Sequence, residues 1–98
     1  MNKKTNSLKV YQFIRLCLGD DVSDRHISRV IDMPWRSFML LKHGERREPR
    51  VDTICQIARA LHVPPALVFQ IAAGNVSPKR AMFSLKNEDH LYSILLFR

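Results

Sequence analysis

Three features of the sequence predict an all-α protein of five helices followed by a C-terminal extension. Apolar residues recur three and four positions apart along most of the chain, the spacing of one helix face. Gly19, Gly44 and Gly74, the three glycines present, each fall where such a stretch ends, the usual place of a helix C-terminal glycine. No Asn-Gly or Gly-Gly pair offers a tight hairpin turn.

The first helix is expected from Ser7 to Leu18, with Val10, Phe13, Ile14 and Cys17 on one apolar face. Ser23 is a good N-cap for the second, Asp24 to Ile31. A serine hydroxyl accepts from an amide that lacks a helical partner, and an acid in the first turn suits the helix dipole. Ile27, Val30 and Ile31 form its expected inner face. Asp32-Met33-Pro34 then breaks the helix, because proline drives the preceding residue out of helical conformation. The third helix starts at Pro34 or Trp35 and ends at Gly44, with Phe38 and Leu41 inward.

Glu45 to Arg50 is a charged loop closed by Pro49. The fourth helix is expected from Val51 to Leu61, burying Ile54, Ile57, Ala58 and Leu61. Pro64 and Pro65 open the fifth, which runs to Ala73 with Leu67 and Val68 inward. Proline is tolerated there because a first-turn amide has no intrahelical acceptor. Residues 1–75 read as one domain and 76–98 as an extension. In the extension, Ser77-Pro78 is a cap with a first-turn proline and Asn87-Glu88-Asp89 a second cap. Leu91, Ile94 and Leu95 follow at helical spacing. Two short helices are expected; the alternative is a hairpin joining Ala81–Leu85 to His90–Phe97.

A hydrophobic fraction of 46% excludes a disordered chain. The net charge of +7 and a pI near 10.0 point to a polyanionic partner, nucleic acid before an anionic membrane surface. No apolar run approaches the ~20 residues that span a bilayer, and no apolar stretch follows MNKK as a signal peptide requires. A cytoplasmic protein with no membrane partner is expected. Cys17 and Cys55 sit among apolar residues and read as two reduced thiols rather than a disulfide. The four histidines are scattered, no Cys–His pair has zinc spacing, nothing orders a catalytic triad, and no glycine-rich loop cradles phosphates. No catalytic activity, metal or cofactor is expected.

Two short helices around a tight turn, then a glycine and a basic loop, make a helix-turn-helix pattern. From Ser23 to Pro49 the chain resembles, without gaps, the Cro/C1-type (XRE, lambda-repressor-like) family of bacterial and phage DNA-binding regulators. The likeness rests on Ser23, the Ile27-Ser28 pair, Ile31, the turn at Asp32-Met33-Pro34, Phe38, Leu41, Gly44 and Pro49. Ala58, Leu61 and Val63 extend it. It implies a five-helix domain that binds double-stranded DNA as a homodimer, with the third helix in the major groove.

On that resemblance the outer face of the third helix, Trp35, Arg36, Met39, Leu40 and His43, faces the bases. Arg36 carries the donors for guanine O6 and N7. Trp35 packs either on thymine methyls and sugar or on the turn from the protein side. Met39 and Leu40 stand where relatives often place polar readers; they suit thymine methyls or a protein interface. Arg46, Arg47 and Arg50 follow where the family's loop runs beside the DNA backbone, Arg50 in a position to reach toward the minor groove. The other reading of that loop is a solvated charge run paired with Glu45 and Glu48. Ser37 is a phosphate donor or an ordinary first-turn serine.

Three departures from the family pattern stand out. Asp24 replaces a glutamine that often contacts phosphate; a carboxylate there repels one, leaving Arg25 or Arg29 to make the contact. Lys42 replaces a buried acid that pairs with an arginine of the first helix, and is read as pointing at phosphate. Asp32 replaces the turn glycine, and Asp tolerates the left-handed conformation better than most residues. The function implied is sequence-specific transcriptional regulation. The alternative is an antitoxin or another protein-interaction module on the same scaffold, with a protein partner for the apolar tail Leu91 to Phe97.

Overall fold

Apolar residues at helical spacing gather on one side of each helix, and those sides meet in one core. The computed structural model describes residues 6–45 and 49–86, all-helical and without strands among them. The helices are α1 (Ser7–Leu18), α2 (Asp24–Val30), α3 (Trp35–Lys42), α4 (Val51–Leu61) and α5 (Pro65–Ala72). A sixth, α6, covers residues 78–86. None of them is long and apolar enough to cross a membrane.

Several helix ends have a local cause. Ser23 Oγ accepts from the amide of His26 at 3.2 Å, capping α2, and Ser77 Oγ accepts from the amide of Arg80 at 3.2 Å, capping α6. Both removals of an orphan amide follow from a hydroxyl placed one residue before the helix. Gly44 ends α3 with a φ of 66°, where a side chain would be strained. The turn between α2 and α3 needs the same left-handed geometry, and Asp32 supplies it at φ 54°. Gln56 of α4 fastens that turn from outside: its amide donates to the carbonyls of Ile31, at 2.8 Å, and Asp32.

The core is built from Val10, Phe13 and Ile14 of α1, Ile27 and Ile31 around α2, and Phe38 and Leu41 of α3. Ile54, Ile57 and Ala58 of α4 and Val68 and Ile71 of α5 complete it. The long α1 packs against α3, α4 and α5, while α2 packs against α3 and α4 against α5. Val30 departs from expectation, being 41% exposed. The helix ends at Val30 and Ile31 becomes its C-cap. Ile27, Ile31 and, within the turn, Met33 are buried instead.

Ala81 of α6 is fully buried in the same core, and Met82 and Leu85 pack against it. Residues 81–85 are therefore helical and not a strand; the partner strand of the hairpin alternative and the second helix of the extension lie outside the described residues.

Candidate nucleic-acid interface

The turn fastened by Gln56 sets where α3 begins, and the burial of Phe38 and Leu41 sets which side of it faces outward. With those two residues inward, Arg36, Leu40 and His43, spaced by four and three, form an exposed stripe along the helix. Ser37 is half-buried. Trp35 and Met39 are half-buried and pack against the core, so the five-residue outer face read from the sequence divides into an exposed stripe and a flank.

The flank meets α2. The guanidinium carbon of Arg25 lies 4.2 Å from the centroid of the Trp35 ring. That ring in turn lies 6.1 Å from Phe38, inclined at 35°. A cation over an indole face is a favourable contact, and here it joins α2 to the first turn of α3. Arg25 remains exposed, so its charge stays available at the surface. Trp35 thus packs between Arg25 of α2 and Phe38 of its own helix.

Deeper along the same flank, Asp24 gathers two cations and a phenol. Its carboxylate receives Arg15 Nη2 at 2.6 Å, Lys42 Nζ at 2.5 Å and the Tyr11 hydroxyl at 2.9 Å. Arg15 Nε also donates to the Tyr11 oxygen at 3.1 Å, and its remaining donors reach the carbonyls of Gly19, at 3.2 Å, and Val22. Partial burial pushes the Asp24 carboxyl up, but the hydrogen bonds from Lys42, Tyr11 and Arg15 outweigh it and hold the group below the usual carboxylate range. The hydrogen bond to Asp24 outweighs partial burial and raises the Lys42 ammonium. Lys42 thus differs from its sequence reading: its ammonium is engaged by a carboxylate of its own chain. The anionic partner of Arg15 on α1 is thus an acid of α2. Sequence spacing concealed the Lys42 pairing, because 18 residues separate Asp24 from Lys42.

Arg50 is exposed immediately before α4, with extended backbone. Arg46 and Arg47 lie outside the described residues. Cys17 and Cys55 are free thiols, and burial pushes Cys17 up to about 11, far from a reactive thiolate at neutral pH.

A second surface has a different character. Leu16 of α1 and Met82 and Phe83 of α6 line a shallow cavity of about 240 Å³ edged by Lys79 and Lys86, and Phe83 is 67% exposed. No protein-family model, curated protein or solved structure matches the chain.

Proposed function

We propose that the chain is a sequence-specific, double-stranded-DNA-binding transcriptional regulator of the Cro/C1 type, a cytoplasmic homodimer that inserts α3 into the major groove. The observation that carries this is the exposed Arg36–Leu40–His43 stripe on a short helix held by a tight turn. Arg25 on α2 is exposed over Trp35, the neighbour of Arg36 in sequence, and the net charge of +7 supplies the general attraction to a polyanion. Arg36 reads guanine, Leu40 touches thymine methyls, and Arg25, Arg50, Arg46 and Arg47 neutralise phosphates.

Selection from a random pool of duplex DNA at physiological salt tests it. An enriched two-fold symmetric motif is expected, with half-site centres about one DNA turn, ~34 Å, apart. A folded sample that retains no duplex overturns the reading.

One observation favours the second reading, a protein-interaction module such as an antitoxin. Phe83 and Leu16 are large apolar side chains left at the surface on one face, and clustered exposed apolar groups commonly mark a protein contact. Phe83→Ser would abolish a co-purifying partner under that reading and leave DNA binding intact under the first.

A further inference from the structure

The Asp24 cluster is an anion cradle whose anion belongs to the protein. Two cations and a hydroxyl donor converge on one carboxylate, the same set of donors that a phosphate oxygen would engage. The two cations differ in how firmly they are held. Arg15 is anchored four ways, to Tyr11, to the carbonyls of Gly19 and Val22, and to Asp24, and its side chain is 19% exposed. Lys42 bonds Asp24 from the last turn of α3, on a side chain 35% exposed. A compact ammonium on a flexible stem exchanges one oxyanion for another more readily than a guanidinium fixed by several acceptors.

Resting on the DNA-binding reading above, we propose that Asp24 is an internal competitor for the DNA backbone: its carboxylate withholds Lys42 from phosphate and so sets the affinity and the salt dependence of binding. Arg15 stays in place whether or not Asp24 is charged, because the loop carbonyls hold it. Lys42 is the cation held back, and it reaches phosphate only once the Asp24 charge is removed. Asp24 thereby acts on DNA through another residue and is a positioning residue rather than a contact.

The test is a four-protein cycle, full chain throughout: wild type, Asp24→Asn, Lys42→Gln and the double variant. Binding is read by fluorescence anisotropy on a mixed-sequence duplex of about 25 base pairs across a salt series. Asn preserves the shape and the capacity to accept from Tyr11 and Arg15, and circular dichroism verifies the fold. Asp24→Asn is expected to bind about tenfold tighter at low salt, with a log–log salt slope steeper by about one. Its advantage then shrinks about three- to fourfold between 50 and 200 mM. Lys42→Gln alone is expected to match wild type, and the double variant to lose the gain.

Equal slopes for wild type and a folded Asp24→Asn overturn the proposal, as does a gain that survives in the double variant. Should Asp24→Asn not fold, Asp24→Ser takes its place in the cycle with the same expected and overturning results; a severalfold loss in Lys42→Gln against wild type also overturns the proposal, because Lys42 then already contacts phosphate. If none of the four binds duplex, the DNA-binding reading falls and takes this one with it. If wild type binds and only the cycle fails, Asp24 alone has been misread.

Discussion

Asp24 ties the electrostatics of this molecule to its pH range. Its folded carboxyl lies below the ordinary value, so the stability it contributes is complete above the unfolded value, about 3.9, and is lost as pH falls through the lower folded one. Lys42, raised in the fold, contributes fully below its unfolded value of about 10.4 and loses that contribution as pH rises through the folded one. Asp24→Asn should therefore lower stability by about 1–2 kcal/mol at pH 7 and by less at acid pH, as the wild-type group also protonates on falling through its lowered folded value. Thermal melts at neutral and acid pH check this; an equal loss at both would assign the effect to shape and not charge. Asp32 makes a backbone prediction. At φ 54° a β-branched side chain is strained, so Asp32→Val should cost about 1–2 kcal/mol. Asp32→Gly should melt no lower than wild type. Asp32 was legible in the sequence because Pro34 marks a break there and the resemblance put a turn glycine at its position. Asp24 was not, because its partners come from α1 and α3 and only the packing of three helices brings them together.

For the helices, apolar periodicity carried most of the information. Phe38 and Leu41, or Ile54, Ile57 and Ala58, are inward because three- and four-residue spacing leaves no other common face. Val30 shows where periodicity stops: α2 is two turns long, and its last residue is steered by the turn and not by the helix. The same limit separated Trp35 and Met39 from Arg36 and Leu40, which one helical wheel puts on neighbouring arcs but only the tertiary contacts assign to flank or solvent. That division leads to opposite expectations for two arginines. Arg36→Ala should relax selectivity at one base pair by about 1–3 kcal/mol and leave affinity for unrelated duplex nearly unchanged. Arg50→Ala should weaken all duplexes alike and flatten the salt slope by about one. Binding to a selected site and to a scrambled one, over a salt series, separates them; identical behaviour would remove the distinction between reading and anchoring.

In the whole molecule, α6 belongs to the body. Ala81 is buried among residues of the main core, although it falls in the stretch 76–98 read from the sequence as an extension. Small buried alanines carry weak sequence signals, since alanine suits exposed helix positions equally well. Ala81→Asp would force α6 off the core or bury an unpaired charge. The first route costs only what docking is worth, about 2 kcal/mol, or roughly 10 °C in a domain of this size. A calorimetric melt unchanged by Ala81→Asp would show that α6 adds no stability.

The position of α1 in this architecture also matters before the molecule is finished. Its apolar face, Val10, Phe13 and Ile14, is covered by α3, α4 and α5. α1 therefore depends in part on a helix synthesised after it, α5. At a synthesis rate of about 5–20 residues per second, α1 waits several seconds for α5 to follow it out of the ribosome. During that interval part of its greasy side has no cover in its own chain, and the cell must shield it or risk its sticking to a neighbour.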